Sequence, residues 1–356
     1  MTIYDMANEL TEMLFGEKGV NFERLREEIA KQLTMDKMNI PPQYLFLKVT
    51  NYCNSNCVYC DHARDKVGRE IKGELSTESL KKIISEAAEL GVKAMTISGG
   101  EPLVRDDIEV IAKMMVDNGI IAALLTNGYY LKQRAKSLYD SGLKYFVISL
   151  DSIDEKTFSA QRGIPLAPVM EGIEELIKLK EKDDRIKIHV TPVVTAKNIT
   201  QMPAMVEYFT AKKIALQFSP YHQFGDEKLE ELDSFDREEV CKTVDKLIQM
   251  KKEGYLIADS AAFLEHFKNF MCERQVVPEG YHCLVGYTAC FGDSLGNVRP
   301  CWSGGFNAGN LKEKSLKEIW YSEEYMKIRK EMFNCRCPGC WLLCTGEITM
   351  LLNGHK

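Results

Sequence analysis

Short apolar segments alternate with amphipathic segments through the middle of this chain of 356 residues. Each apolar segment is bounded by Gly, Asn, Asp or Pro, which favours a short strand. The six predicted strands cover residues 44–50, 93–98, 120–126, 145–150, 186–194 and 213–220. A helical stripe of apolar residues follows the first strand and contains Leu80, Ile83, Ile84, Ala87 and Leu90. This α/β alternation predicts a parallel sheet, and six units suit a partial (β/α)6 barrel with its active site at the carboxyl ends of the strands.

Composition and charge exclude several classes of protein. The net charge is −6, with both signs mixed along the chain, which argues against a nucleic-acid partner. The longest apolar run, residues 120–125, is too short to span a membrane, and no secretory signal is visible. We therefore expect a cytoplasmic protein with no membrane partner. The twelve cysteines of such a chain indicate metal ligands rather than disulfides.

The sequence divides into four predicted parts. The pair Pro41-Pro42 ends a helical extension, and a Cys-rich module with turn-forming Gly and Asn follows the alternating region. The predicted parts are a helical extension (1–40), the barrel (41–235), bridging helices that begin with a helix at about 236–253 (236–282), and the Cys-rich module (283–356).

Three cysteines follow the first predicted strand in the order C-x3-C-x2-C, namely Cys53, Cys57 and Cys60. Three thiolates on one short loop can hold three corners of an iron–sulfur cube, so the fourth iron has no protein ligand. An open metal position lets a small molecule bind the metal directly. The alternatives are three core thiols or a zinc site, but zinc normally takes four ligands in two pairs.

Polar and glycine residues follow the next strands at their carboxyl ends. Strand two ends in the run Gly99-Gly100-Glu101-Pro102, and glycines permit close approach of a backbone. Strands three to five end in or are followed by Thr126, Asn127, Ser149, Asp151, Arg162 and Asn198. Ser149 and Asp151 are spaced to point the same way, and a hydroxyl and a carboxylate suit a ribose diol or an ammonium group. A guanidinium such as that of Arg162 pairs with carboxylates in a directional, bidentate manner.

The cysteine triplet, with Tyr59 just before its last member, resembles the signature of the radical S-adenosylmethionine (SAM) superfamily. The resemblance implies that SAM binds the open iron through its amino and carboxylate groups. Reductive cleavage of SAM then yields methionine and a 5'-deoxyadenosyl radical. It also implies contacts to SAM from the Gly-Gly-Glu-Pro run, from Tyr59, and from the polar residues at the ends of strands three to five.

Strand six is followed by Tyr221 and His222. We predict that they form the substrate site, because the other strand ends are assigned to SAM and a histidine can move a proton near neutral pH. His189, within strand five, is interpreted as a structural strand residue.

The C-terminal module contains Cys283, Cys290, Cys301, Cys335, Cys337, Cys340 and Cys344. Its runs C-x2-G, G-N-V-x-x-C, G-N-L-x4-L-x2-I-W and C-x2-C-W resemble the SPASM or shorter twitch extension of radical SAM enzymes. That resemblance implies one auxiliary 4Fe–4S cluster, or two. One cluster held by Cys283, Cys301, Cys337 and Cys340 matches the twitch layout best. Cys290 is an alternative ligand, the remaining cysteines are spare or form an incomplete second site, and a zinc knuckle is the alternative to iron.

These features predict an enzyme that reduces its first cluster, cleaves SAM and abstracts hydrogen from unactivated carbon. Electron transfer to an auxiliary cluster would give a net oxidation, whereas a spare thiol such as Cys290 would suit an epimerase or peptide maturase. The implied partners are an electron donor such as flavodoxin or ferredoxin and a small polar molecule or leaderless peptide. A non-enzymatic iron–sulfur carrier or scaffold is the rival class, but it leaves the Gly-Gly-Glu-Pro run unexplained.

Overall fold

The computed structural model describes residues 27–29, 31, 38–60, 73–222, 230–273, 277–302, 305–337, 339–342, 346 and 349–350. The strands are β1 (Tyr44–Thr50), β2 (Ala94–Gly99), β3 (Ile121–Thr126), β4 (Tyr145–Ile148), β5 (Lys187–Val190), β6 (Val193–Val194), β7 (Ala215–Leu216), β8 (Ser219–Pro220), β9 (Ala289–Gly292), β10 (Asn297–Arg299) and β11 (Gly309–Asn310). The helices are α1 (Thr77–Leu90), α2 (Ile108–Asp117), α3 (Leu131–Asp140), α4 (Glu155–Arg162), α5 (Leu166–Lys180), α6 (Met202–Ala211), α7 (Glu230–Asp233), α8 (Arg237–Lys252), α9 (Ala261–Glu273), α10 (Val285–Thr288), α11 (Leu316–Trp320) and α12 (Glu323–Phe333). Within these described residues, 3-10 turns also cover Pro102–Val104 and Ile199–Gln201.

The barrel strands lie side by side in the order β1, β2, β3, β4, β5, β7, and every neighbouring pair is parallel. Helices connect successive strands, so the predicted α/β partial barrel is confirmed. The predicted stripe on α1 is confirmed as well, since Leu80, Ile83, Ile84 and Ala87 are buried. Ser76 caps the start of α1 by accepting a hydrogen bond from the Ser79 backbone N–H.

The last two predicted strands are each broken into two short pieces. In the fifth, Pro192 separates β5 from β6, because proline has no N–H to donate to the ladder. In the sixth, the Phe218 N–H between β7 and β8 donates to the Asp259 carboxylate at 2.8 Å instead of to a strand. The outer pieces, β6 and β8, then pair with each other in a separate parallel ladder.

The Cys-rich module extends the barrel sheet. β9 pairs in parallel with β1, on the side of β1 opposite to β2, and β10 and β11 continue the sheet in antiparallel fashion. The module therefore lies directly beside the strand that leads into the first cysteine loop.

The bridging region contains the long helices α8 and α9. The helix predicted at about 236–253 matches α8 to within a residue at each end. α9 buries Phe263, Phe267 and Phe270, which recur at helical spacing. The predicted helical extension (1–40) lies mostly outside the described residues. Within the part of the chain that the structure describes, no helix has the length and apolar character needed to cross a bilayer.

Candidate active site

The first cysteine loop opens onto a cavity of about 140 Å³ at the carboxyl ends of the barrel strands. The predicted site residues that line it are Cys53, Cys57, Tyr59, Cys60, Gly99, Gly100, Thr126, Asn127, Ser149 and Arg162. The lining also includes Ser55, Ser98 and Leu125, which were not predicted. Alternation along β2 offered a signal for Ser98, since it lies on the same face as the predicted Gly100.

The carboxyl end of α4 holds this loop in place. The backbone N–H groups of Asn56 and Val58 donate to the carbonyls of Arg162 and Gln161 at 3.2 and 2.9 Å. The Ser55 hydroxyl donates to the same Arg162 carbonyl. The last carbonyls of a helix have no donor within it, so the loop supplies donors that these carbonyls need in any case. The thiols are thereby fixed relative to the barrel.

Burial strongly affects the pKa of two thiols of this loop, Cys53 and Cys57. Removal from water raises the pKa of Cys53 to about 12, and it also raises the pKa of Cys57 although the Arg162 charge opposes the shift. Without a metal the thiols of Cys53 and Cys57 are protonated at neutral pH, and metal binding must displace their protons. Three thiols on one loop beside an open cavity form a donor set that fits three corners of an iron–sulfur cube.

Among the described residues, no three His, Cys, Asp or Glu side chains converge closely enough to hold one metal ion. The iron atoms of a cube occupy separate corners, so its thiolate ligands do not need to converge on one point.

Close packing of the backbone requires glycine at positions 99 and 100. A Cβ at Gly99 would lie 2.3 Å from the Thr50 carbonyl oxygen, and a Cβ at Gly100 would lie 2.3 Å from the Tyr52 carbonyl oxygen. The backbone N–H groups of Gly100 and Glu101 donate to these two carbonyls, each at 2.8 Å. The end of β2 is therefore clamped against the chain just before Cys53.

The substitution Gly100→Ala is expected to displace the first cysteine loop, because the new methyl group overlaps backbone atoms that cannot rotate away. We expect the reconstituted variant to lose most of the iron bound at this loop and to unfold at lower temperature. Iron analysis and thermal denaturation measure the two effects.

Gly119→Ala is the matched control, since no atom lies within 4 Å of a Cβ there although its φ is +75°. Gly119→Ala should lower the free energy of unfolding by about 1 kcal/mol, because alanine is disfavoured in the left-handed conformation. It should leave the iron content unchanged. Equal iron loss in both variants would contradict the clamp.

Glu101 joins the ends of β2 and β3. It is fully buried, and its carboxylate accepts hydrogen bonds from the backbone N–H groups of Leu103 and Asn127 and from the Thr126 hydroxyl, at 2.7–2.9 Å. Burial raises the pKa of Glu101, and these hydrogen bonds oppose the shift. Its oxygens are engaged within the protein, and Pro102 beside it begins a buried 3-10 turn. Both residues therefore lie behind the cavity wall rather than on it.

Asp151 and Arg162 form a buried bidentate ion pair. Arg162 Nε and Nη2 donate to the Asp151 carboxylate at 2.8 and 2.6 Å, and the Tyr59 hydroxyl and the Val193 backbone N–H donate to it as well. Burial favours neutral arginine, but the Asp151 charge raises the pKa of Arg162 above its usual value. Asp151 was predicted to contact the cofactor. In the structure its carboxylate instead binds Arg162 and Tyr59 and orients them, and these two residues line the cavity.

Asn198 was also predicted to contact the cofactor, but the structure places it behind the wall. Its side chain is fully buried, and Nδ2 donates to the carbonyls of Asp151 and Val193 at 2.9 Å. Its Oδ1 accepts from the Thr195 backbone N–H at 2.8 Å. Asn198 thus supports the chain that carries Asp151.

Asn127 and Ser149 connect the ends of β3 and β4 to the cavity. The Asn127 amide donates to Asn54 Oδ1 in the cysteine loop at 2.8 Å, and the Ser149 backbone N–H donates to the Thr126 carbonyl at 2.9 Å. These contacts bring the predicted polar residues to the same edge as the thiols.

The structure places Tyr221 and His222 directly after β8, against helix α9. The Tyr221 backbone N–H donates to the Val194 carbonyl at 2.8 Å, and the His222 ring lies 5.2 Å from the Phe270 ring. Neither side chain lines the cavity beside the first cysteine loop. Their predicted role toward substrate stays a prediction.

The four cysteines of the C-terminal module that the twitch resemblance implied as ligands lie near one another. Burial raises the pKa of Cys283 well above its usual value, and the nearby thiols of Cys340, Cys301 and Cys337 raise it further. Cys283 and Cys301 are buried, and the other two are partly exposed. This donor set fits a second iron–sulfur cluster.

The other cysteines of the module have different surroundings. Cys335 donates to the Tyr281 carbonyl at 3.2 Å and lies near the four clustered thiols. Cys290 is fully buried in β9, near Arg329 of α12, and is not part of the cavity lining. This position does not suit Cys290 as a hydrogen donor to substrate. Cys344 lies outside the described residues.

Cys283, Cys301, Cys337 and Cys340 are called the second cysteine group. Trp341 attaches this group to the bridging helix α9. Its ring stacks on Phe263 with centroids 5.3 Å apart, and its indole N–H donates to the Phe263 carbonyl at 3.1 Å. Because Phe270 of the same helix contacts His222, α9 connects the predicted substrate residues to the module.

Comparisons with known proteins agree with this geometry. Residues 47–208 match the model of the radical SAM superfamily, and residues 283–341 match that of the iron–sulfur cluster-binding SPASM domain. An AdoMet-dependent heme synthase of Methanosarcina barkeri is 30% identical over 330 residues, which cover 86% of this chain and 90% of that protein. GTP 3',8-cyclase of Staphylococcus aureus is 35% identical over 201 residues, 54% of this chain and 58% of the cyclase.

Solved structures share the fold at low sequence identity. SuiB of Streptococcus suis bound to its precursor peptide SuiA has a TM-score of 0.64 at 19% identity, covering 91% of this chain and 74% of SuiB. The protein anSMEcpe with bound AdoMet and a peptide has a TM-score of 0.61 at 18% identity, with 83% of each chain covered.

Proposed function

Because the chain belongs to the radical SAM superfamily and carries a SPASM domain, we propose that it abstracts a hydrogen atom from its substrate and completes a net oxidation. The family is one of enzymes that use 4Fe–4S clusters and SAM. The observation that carries the proposal is the pair of cysteine groups, one facing an open cavity and the other in the adjoining module. The first suits a cluster with an open iron, and the second suits a cluster that takes up an electron.

When bound, the first cluster and SAM supply a 5'-deoxyadenosyl radical, and the protein provides binding and orientation. We assign Cys53, Cys57 and Cys60 to the first cluster. Arg162, oriented by Asp151, is assigned to the carboxylate of SAM, since a guanidinium binds a carboxylate in a directional manner. The backbone at Gly99 and Gly100, Tyr59 and the Ser149 hydroxyl complete the proposed SAM site.

The net oxidation is proposed to use the second cluster as electron acceptor. Cys283, Cys301, Cys337 and Cys340 are its proposed ligands. The alternative of epimerisation with Cys290 as hydrogen donor is disfavoured by the burial of that thiol in the core. A flavodoxin or ferredoxin is the proposed source of the electron that reduces the first cluster.

The substrate is proposed to be a small molecule. A peptide is the alternative that the sequence also predicted. The relation to a heme synthase covers 90% of that enzyme, whereas the relation to the GTP cyclase covers 58% of it. A precursor of heme is therefore the first compound to test as a substrate.

The test of the proposed chemistry is anaerobic reconstitution with iron and sulfide, followed by reduction and addition of SAM. We expect 5'-deoxyadenosine and methionine in equal amounts, measured by liquid chromatography with mass spectrometry. A fully loaded, reduced protein that forms no 5'-deoxyadenosine, with or without candidate substrates, would contradict the proposal and favour an iron–sulfur carrier.

His222→Ala is expected to impair substrate turnover far more than substrate-free cleavage of SAM, since we propose that this residue acts on the substrate. Its ring contacts Phe270 of α9, the helix that also packs against Trp341 of the Cys-rich module. His222→Gln separates packing from proton transfer, because it retains a planar polar group without an ionisable nitrogen. Equal losses of both activities, or no change in either, would remove His222 from the substrate site.

A further inference from the structure

The inner face of the sheet carries two cations beside the cavity. Alternation along β1 places Phe46 and Lys48 on one face. The register continues that face across β9 and β10, because Phe46 is paired with Phe291 and Phe291 with Arg299. Lys48 is also paired with Ser98, which lines the cavity, so this face is turned toward the proposed SAM site.

Both cations converge on Trp302. Lys48 Nζ lies 3.2 Å from the centre of the indole ring, and the Arg299 guanidinium lies 5.8 Å from it. The indole is 6.4 Å from the Phe291 ring, which is stacked on Phe46 at 5.2 Å. Two positive charges therefore border a continuous aromatic surface, an arrangement suited to an apolar body that bears a negative group.

Arg299 retains donor capacity. Within the described residues, its Nε is buried without a hydrogen-bond partner, and its ion pair with Asp293 is long, at 3.7 Å. The Asp293 carboxylate is engaged by the backbone and side-chain N–H groups of Asn297, both at 2.9 Å. A buried donor without an acceptor is costly, and a bound anion would offset that cost.

The surface formed by Lys48, Arg299 and Trp302 adjoins both proposed cofactor sites. Lys48 adjoins the cavity through its pairing with Ser98, and Trp302 directly follows Cys301 of the second cysteine group. A substrate bound here would lie beside the site of hydrogen abstraction and beside the proposed electron acceptor.

We propose that Lys48, Arg299 and Trp302 form the recognition site for a substrate that carries a carboxylate on an apolar, flat body. The proposal rests on the proposed function, because it names the substrate class of that same site. A carboxylate fits better than a phosphate. Phosphates are typically bound by backbone N–H groups of glycine loops and helix starts, and this site offers side chains of strands and of the segment after β10.

Equilibrium dialysis of the reconstituted enzyme with SAM tests the proposal, with pyrene-1-butyrate as the probe and neutral pyrene-1-butanol as its counterpart. The wild type should bind the carboxylate at least about tenfold more tightly than the alcohol, as expected for a charge-assisted hydrogen bond. Lys48→Met, which retains an apolar stem, and Arg299→Gln should each reduce that preference by about tenfold. Lys82→Met removes a lysine that is 72% exposed on α1 and should leave the preference unchanged.

Equal binding of the two probes by the wild type would overturn the proposal, as would an intact preference in both variants. Loss of SAM affinity without loss of the preference would assign the cations to the cofactor instead. Formation of 5'-deoxyadenosine by the wild type is measured in parallel. Its absence would contradict the proposed function, while the dialysis ratio decides the carboxylate site separately.

Discussion

Replacement of Cys53, Cys57 and Cys60 by alanine in one variant is expected to abolish the formation of 5'-deoxyadenosine from SAM. The three thiols share one loop that faces the cavity, and the described part of that loop offers no other thiol. The variant should lose about four irons per chain, the content of one cube. Iron and sulfide analysis and quantitation of 5'-deoxyadenosine measure the two effects.

The matched control is the double variant Cys241→Ala and Cys272→Ala. These thiols interact with each other between helices α8 and α9, and neither belongs to the two cysteine groups, so their loss should change neither iron content nor SAM cleavage. Undiminished 5'-deoxyadenosine from the triple variant would refute the assignment of the first cluster. Equal losses in the triple variant and the control would point to general destabilisation.

The parallel fold could be predicted because it follows from local sequence patterns. Each of the first three predicted strands lies within one residue of an observed strand, because apolar runs bounded by turn residues are sufficient to place them. The breaks after β5 and β7 were not predicted. The second depends on Asp259, whose carboxylate takes the Phe218 N–H from a part of the chain 41 residues away. Pairwise contacts of this kind leave no periodic signal.

The candidate active site, like the fold, was predicted only in part from the sequence. The sequence indicated which residues gather at the strand ends, but it did not distinguish residues on the cavity wall from residues behind it. Glycines 99 and 100 were expected to admit a ligand, whereas the closest atoms to their absent Cβ groups are carbonyls of the chain leading to Cys53. Asp151 was expected to reach the cofactor, yet its carboxylate is occupied by Arg162 and Tyr59. A buried charge needs such partners, and only the folded chain shows which ones are near.

The same reasoning applies to the C-terminal module. Its resemblance to the twitch layout implied four ligands, and these four thiols lie near one another. The spacing gave no sign that β9 would pair with β1 and thereby align the module with the barrel. This pairing is the physical reason that Lys48 and Arg299 share one face, although 251 positions separate them in the sequence.

Replacement of Cys283 and Cys301 by alanine is expected to remove the second cluster and to leave the first. The variant should retain about four irons of the roughly eight expected for two cubes. Substrate-free cleavage of SAM should fall far less than product formation, because the proposed electron acceptor is lost while the SAM site remains.

Cys290→Ala is the matched control for this variant, since it removes a thiol of the same module that lies in the core near Arg329, on the opposite face of β9 from Phe291. It should leave a cavity costing about 1–2 kcal/mol of unfolding free energy, with full iron content and product formation. Zinc instead of iron in the module would refute the auxiliary cluster. About eight irons remaining in the variant lacking the first three cysteines would show two clusters in the module. Product formation that survives loss of the second cluster would remove the electron-acceptor role and leave the net oxidation without its proposed acceptor.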